Sequence, residues 1–185
     1  MPKVWIADDD DAIRMILDEH LKSEGLDVSS FSDGELLLKE LDKDVPDLVI
    51  SDIKMPGVNG YDLLKHLNNN YEDVPVIIMT AFTDMQAAVD AYGGGAFEYL
   101  PKPFDLEEAS SIVKRALEKT DIEKPKKITK TEIIGSAPSM QNVFRSIGKL
   151  SNTTATVLIQ GESGTGKELI AKSLHKNSPR NDMPF

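Results

Sequence analysis

The chain has 185 residues, of which 40% are hydrophobic and 28% charged. That length exceeds the prior for one domain and falls short of two, and the composition supports a folded core rather than disorder. No apolar run approaches the ~20 residues needed to span a bilayer, and the first residues run straight into an apolar segment, so a cytoplasmic protein without signal peptide or membrane contact is expected. The absence of cysteine excludes disulfides and thiolate metal centres and agrees with a reducing compartment.

The net charge of −10 is unevenly spread. Residues 1–118 carry 10 basic against 25 acidic side chains, and residues 119–185 carry 11 against 6. An acidic first part is a poor candidate for DNA contact, because phosphate neutralisation supplies most non-specific affinity.

Five short apolar runs, at residues 4–7, 28–31, 47–51, 75–80 and 96–100, alternate with amphipathic stretches. This is the pattern of repeated βαβ units and a parallel sheet. Runs 1, 3 and 4 are nearly continuous, as strands covered on both faces are, and are expected to be central. Between the runs, Ile13, Ile16, Leu17 and Leu21 recur at helical spacing, as do Leu63, Leu64 and Leu67. A fourth helix is predicted over residues 83–92, with apolar residues on its outer surface. In the last helix, Leu106, Ala109, Ile112, Val113, Ala116 and Leu117 form one stripe. The fold class is therefore α/β, a doubly wound five-stranded parallel sheet of flavodoxin-like (βα)₅ order, over residues 1–119.

Residues 120–131 are almost without apolar content and read as a linker. A second segment, 132–185, opens with a helical stripe of Met140, Val143, Phe144 and Ile147. A buried strand predicted at 156–160 follows, then a Gly-rich loop and a helix to about Asn177. One βα unit and a helix cannot close a core, so this is read as an incomplete α/β domain.

In a doubly wound sheet, ligands bind at the carboxyl ends of the strands. Strand 1 ends in Asp8-Asp9-Asp10-Asp11, strand 3 in Asp52, strand 4 in Thr80-Ala81 and strand 5 in Lys102-Pro103. Carboxylates packed there repel unless a cation neutralises them, and hard oxygen donors with room for phosphate oxygens suit Mg²⁺. Asp52 can then act as a nucleophile toward a phosphoryl group, with the metal and Lys102 neutralising its oxygens and the Thr80 hydroxyl donating to the product. Singly, each of these residues has a plainer role. An Asp after a strand is most often a helix N-cap, the role expected of Asp11. Which of the four aspartates face Asp52 stays open on the residues alone.

These residues, with Ser51-Asp52-Ile53-Lys54-Met55-Pro56-Gly57, Ile78-Met79-Thr80-Ala81 and Tyr99-Leu100-Pro101-Lys102-Pro103-Phe104, resemble the receiver domain of two-component response regulators. The resemblance covers residues 3–119. It implies that Asp52 is the phosphoacceptor, that Asp8, Asp9, Asp52 and the Lys54 carbonyl hold Mg²⁺, and that Thr80, Tyr99 and Lys102 form a switch, with Pro103 following a cis peptide. The run also allows Asp9 and Asp10 as the family's acid pair, and spacing to Ile13-Arg14 favours Asp8 and Asp9. It further implies a sensor histidine kinase as phosphodonor and allows a receiver dimer on phosphorylation.

Gly161-Glu162-Ser163-Gly164-Thr165-Gly166-Lys167-Glu168 matches the P-loop except at its last position, where Glu168 stands for Ser or Thr. Its glycines let backbone N–H groups wrap phosphate, and Lys167 reaches the β- and γ-phosphates. With Ile134-Gly135-Ser136-Ala137-Pro138-Ser139-Met140, the loop resembles the AAA+ ATPase of sigma-54-dependent activators. Within these, Val4-Trp5, Ala91-Tyr92, Gly95-Ala96-Phe97-Glu98-Tyr99 and Leu174-His175-Lys176-Asn177-Ser178-Pro179-Arg180 make the NtrC (nitrogen regulation) family the nearest likeness. ATP is the implied ligand in the complete protein. The family's Walker B strand, arginine finger and helix-turn-helix do not occur in these residues. This segment alone is therefore expected to be inactive as an ATPase, with sigma-54 RNA polymerase and enhancer DNA engaged only through other regions. A phosphorylation-controlled regulator of this kind is the leading reading. The alternatives are a stand-alone phosphorelay receiver with a vestigial nucleotide-binding tail, and an intact P-loop ATPase or kinase. The latter is disfavoured because too few residues follow Lys167.

Overall fold

The computed structural model describes residues 1–81, 85–118, 137–151 and 153–185. Two compact units divide the chain, residues 1–81 with 95–123 and residues 82–94 with 124–185. In chain order the elements are β1 (Lys3–Ala7), α1 (Asp11–Ser23), β2 (Asp27–Phe31), α2 (Gly34–Leu41), β3 (Leu48–Asp52), α3 (Gly60–Asn70), β4 (Val76–Thr80), α4 (Met85–Gly93), β5 (Glu98–Pro101) and α5 (Leu106–Glu118). These are followed by α6 (Pro138–Leu150) and α7 (Lys167–Lys176). The predicted linker at 120–131 lies outside the described residues.

In the first unit all five strands pair in parallel, in the order β2-β1-β3-β4-β5. The three apolar runs expected to be central are β1, β3 and β4. Every residue of β3 and β4 is buried, whereas the edge strand β2 buries only Val28. Side chains alternate across a strand. Val4 and Ile6, Leu48 and Ile50, and Ile77 and Met79 thus share one face with Leu17 and Leu21 of α1 and with Ala109, Ile112, Val113 and Ala116 of α5. The α5 residues repeat at i, i+3, i+4 and i+7, the stripe read from the sequence. On the other face α2 and α3 bury Leu37, Leu41, Leu63, Leu64 and Leu67. Each such side chain contributes roughly 1.5–3 kcal/mol of transfer free energy.

Two local expectations are corrected. The cap of α1 is Asp10, not Asp11: its backbone is extended (φ −81°, ψ 109°) and its carboxylate accepts from the Ala12 and Ile13 amides. Asp11 is already in the helix and pairs with Arg14 one turn on. Ile16, grouped with the α1 stripe, is 49% exposed. At 100° per residue it lies about 100° from Leu17, on the flank away from the sheet.

The second unit contains α4, α6 and α7 among its described elements. The apolar surface expected to be exposed on the fourth helix is instead buried: Met85, Ala87, Ala88, Val89, Ala91 and Tyr92 are all covered. Packed on this helix is α6, which buries Phe144 and Ile147, leaves Val143 half-exposed and meets Tyr92 and Ala88 at Gly148. Gly148 makes the approach possible, because a Cβ there would fall 2.4 Å from Cδ2 of Tyr92. The Lys149 ammonium lies 5.7 Å from the centre of the same ring. The strand predicted at 156–160 does not form. Residues 153–160 have no regular structure, and Leu158 is 81% exposed. Among the described residues no strand lies beside this run, and an unpaired strand leaves its backbone donors and acceptors to water. No helix among the described residues is long and apolar enough to cross a membrane.

Candidate functional site

Because the sheet is parallel, β1, β3, β4 and β5 all end at one edge, and the polar residues that follow them meet there. Asp8 directly follows β1 and is fully buried. Asp52 closes β3, its Cα paired with Met79, one residue short of Thr80. Thr80 is buried at the end of β4, and its carbonyl accepts from the Lys102 amide at 2.7 Å. Lys102 follows β5 and is joined to Pro103 by a cis peptide.

Four side chains converge. Oxygens of Asp8, Asp9 and Asp52 all lie within 4.8 Å of one another. The Lys102 ammonium sits 2.6 Å from Asp8 Oδ2 and 3.0 Å from Asp52 Oδ1. Two amides orient the acids: Asp10 N donates to Asp8 Oδ1 at 3.0 Å, and Lys54 N donates to Asp52 Oδ2 at 2.9 Å. Arg14 Nη1 donates to the Asp8 carbonyl, a contact that no sequence motif had singled out. Asp10 is occupied as the cap of α1, which leaves Asp8 and Asp9 as the pair facing Asp52.

The electrostatics follow from burial. Desolvation pushes the Asp8 carboxyl above its ordinary value, against hydrogen bonds from Lys102 and the Asp10 amide. Burial works to lower the Lys102 ammonium, but its hydrogen bonds to Asp8 and Asp52 more than offset this and hold it above the usual lysine range. One ammonium cannot balance three carboxylates. An all-oxygen donor set with surplus negative charge and no histidine or cysteine matches a hard divalent cation such as Mg²⁺.

Tyr99, in β5, is fully buried and paired with Ile78. The loop from Asp52 to α3 carries Lys54, whose side chain is exposed. It ends where the Gly60 amide donates to the Ile53 carbonyl at 2.9 Å.

In the second unit, the P-loop residues 161–168 lie together. Gly166 caps α7 with φ 83°, a left-handed conformation that glycine adopts without penalty. Lys167 Nζ donates to the Gly161 carbonyl at 2.9 Å and to that of Glu162. The Thr165 hydroxyl donates to the Glu162 carbonyl at 2.8 Å. Glu168, exposed on the first turn of α7, pairs with Lys172 at 2.6 Å. Ser163 and Gly164 are exposed in the loop between them.

Comparison with known proteins agrees with both segments. The family model described as response regulator receiver domain matches residues 4–114, and the sigma-54 interaction domain model matches residues 133–185. The DNA-binding transcriptional regulator NtrC of Escherichia coli (strain K12) is 49% identical over 187 aligned positions, covering 98% of this chain and 40% of that protein. The chain thus spans about 40% of the length of the curated relatives it matches. Among solved structures, NtrX from Brucella abortus in complex with ATP is 26% identical with a TM-score of 0.62, over 100% of this chain and 42% of that one. TrrA from Thermotoga maritima, in complex with Mg²⁺-BeF, is 31% identical with a TM-score of 0.58, over 63% and 99%.

Proposed function

This chain belongs to the response-regulator family, with the NtrC-type order of a receiver followed by a sigma-54 interaction segment, and on that premise we propose that Asp52 accepts a phosphoryl group from a sensor histidine kinase. The observation that carries this is the Lys102 ammonium joining Asp8 and Asp52 beside Asp9, an arrangement with spare negative charge and a fixed cation.

Asp8, Asp9, Asp52 and the Lys54 carbonyl hold Mg²⁺ in this reading. When bound, the ion supplies the charge neutralisation that lets a carboxylate approach a phosphoryl group. An Asp52 oxygen forms the new P–O bond as the P–N bond of a phosphohistidine breaks, and the departing imidazole takes up a proton. The Lys102 ammonium neutralises a phosphoryl oxygen, and the Thr80 hydroxyl donates to another. The product adds roughly −1.5 to −2 charge at the sheet edge, and movement of Thr80 toward it is relayed through Tyr99 and the Lys102–Pro103 segment.

Domain limits of 1–119, 120–131 and 132–185 go with this reading. Gly161, Glu162, Ser163, Gly164, Thr165, Gly166, Lys167 and Glu168 hold ATP in the complete protein. That protein is a cytoplasmic sigma-54-dependent activator serving nitrogen regulation, meeting sigma-54 polymerase and enhancer DNA through other regions and able to pair through its receivers. Titration with beryllofluoride tests the core of it. Saturable, Mg²⁺-dependent binding that Asp52→Asn abolishes is the expected result; binding without Mg²⁺, or binding retained by the variant, overturns it.

A further inference from the structure

The loop that leads from Asp52 to α3 holds two groups of the proposed site, the Lys54 amide on Asp52 Oδ2 and the Lys54 carbonyl. A seven-residue loop that must present a carbonyl to an ion needs walls. One is β4, where the Ile53 amide donates to the Met79 carbonyl at 3.1 Å. Another is the start of α3, where a Cβ on Gly60 would fall 2.1 Å from the Asp52 carbonyl oxygen. Both walls are close to Asp52 in sequence or in the sheet.

The third wall comes from elsewhere. Gly34, the first residue of α2, is buried against Val58: a Cβ there would lie 2.6 Å from the Val58 carbonyl oxygen, 3.0 Å from its Cβ and 3.1 Å from its Cγ1. Its neighbour Glu35 rests on Gly57, where a Cβ would lie 2.8 Å from the carboxylate Oε1. A cleft of about 490 Å³, lined by Asp9, Asp33, Glu35, Leu36, Pro56 and Gly57 among others, brings the first turn of α2, this loop and one of the acids together. Since close-packed atoms transmit displacement rather than absorb it, the first turn of α2 sets how far the loop stands from Asp9 and Asp52.

We infer that Gly34 is a positioning residue for the phosphorylation site, acting through Val58 on the loop that carries Lys54. The inference rests on the Mg²⁺ site proposed above. Gly34 contributes no ligand. Its role is to lack a side chain, so that α2 can abut a backbone carbonyl that has nowhere to retreat.

A substitution separates this from an ordinary helix effect. Alanine is the better helix former, so on local grounds Gly34→Ala should stabilise α2. If Gly34 positions the loop, the same change pushes Val58 away and weakens Mg²⁺ binding by about tenfold or more, the size of effect typical of groups that support metal ligands. Isothermal titration of the 185-residue chain with MgCl₂, alongside melting temperatures, reads both. Wild-type binding with weakened binding by Gly34→Ala supports the inference, and a Val58→Ala change on that background should not restore affinity, because the obstructed atom is the backbone oxygen. Equal affinity in wild type and Gly34→Ala overturns it while leaving the phosphorylation reading intact. A wild-type chain that binds no Mg²⁺ overturns both.

Should Gly34→Ala fail to fold, amide hydrogen exchange on the wild type decides. Coupling is reciprocal, so Mg²⁺ should slow exchange in the first turn of α2, at Glu35, Leu36 and Leu37, as well as in residues 53–59. Protection confined to residues 53–59 overturns the inference.

Discussion

The Nζ of Lys102 lies 2.6 Å from Oδ2 of Asp8, a residue 94 positions earlier in the chain. Asp8 is wholly buried and the lysine side chain is 14% exposed, so this pair sits where charge is poorly solvated. Its stability depends on what other charges are present.

Asp8 provides the first prediction. Burial raises its pKa, so its protonated form suits the folded state better than the unfolded one. That contribution is fully present below the unfolded value near 3.8 and is lost as pH rises through the raised folded value. At neutral pH without metal, the ionised acid therefore weighs against the fold. Asp8→Asn should raise the melting temperature of the metal-free protein at about pH 7, with the gain fading toward about pH 4. The same variant should lose stabilisation by Mg²⁺, which for the wild type amounts to about 2.7 kcal/mol at 100 times the Kd. Scanning calorimetry with and without Mg²⁺ at both pH values checks this.

Lys102→Ala should do the opposite. Removing one partner of a buried ion pair leaves the other uncompensated and costs about 3–5 kcal/mol. Here the remaining carboxylates can recruit a cation instead. Urea unfolding should show a large loss without Mg²⁺ that shrinks when Mg²⁺ is added, together with tighter Mg²⁺ binding than in the wild type. A loss of equal size in both conditions contradicts the arrangement.

Packing of α6 on α4 depends on the absence of a side chain at position 148. Gly148→Val should destabilise the second unit by about 1–3 kcal/mol, the usual cost of forcing methyl groups into a filled space. Truncating the obstructing ring with Tyr92→Ala should recover part of that loss. A double-mutant cycle by denaturant unfolding measures the coupling, and strict additivity would show that the two residues do not meet.

Asp33 caps α2, its carboxylate accepting from the Leu36 amide at 2.9 Å. This hydrogen bond lowers its pKa, so the contribution is present above the unfolded value near 3.8 and is lost as pH falls through the depressed folded value. Asp33→Ala should cost about 0.5–2 kcal/mol near neutrality. The difference between variant and wild type should narrow in acid, as chemical denaturation at a series of pH values will record.

The sheet was legible in the sequence because buried parallel strands are written as unbroken apolar runs, and Leu48 to Ile50 or Val76 to Met79 admit few other readings. The acids and lysine of the site were legible for a related reason: once strand ends are known, topology alone brings Asp8, Asp52, Thr80 and Lys102 to one edge. What escaped depended on partners distant in sequence or on backbone angles. The run at 156–160 has strand-like residues, but a strand is a property of a pair. The apolar face of α4 looked exposed because α6, which packs on it, begins 45 residues after α4 ends. Which of four consecutive aspartates caps α1 turns on the φ and ψ of Asp10, and no pattern of side chains reveals that. Gly34 gave no signal at all, since a missing side chain reads as a turn or a helix start until its neighbour is known.

In the proposed function, where the loop at 161–168 holds ATP, the hydrogen bonds of Lys167 to the carbonyls of Gly161 and Glu162 bear on how tightly it grips the polyphosphate. An ammonium already bonded to two carbonyls has only to exchange one acceptor for another, carbonyl oxygen for phosphate oxygen. Part of the ordering of its four-carbon stem then precedes the encounter, which becomes a swap between competing anionic and dipolar hosts. Affinity at this loop is then governed less by how strongly lysine attracts phosphate than by how readily two peptide oxygens let it go.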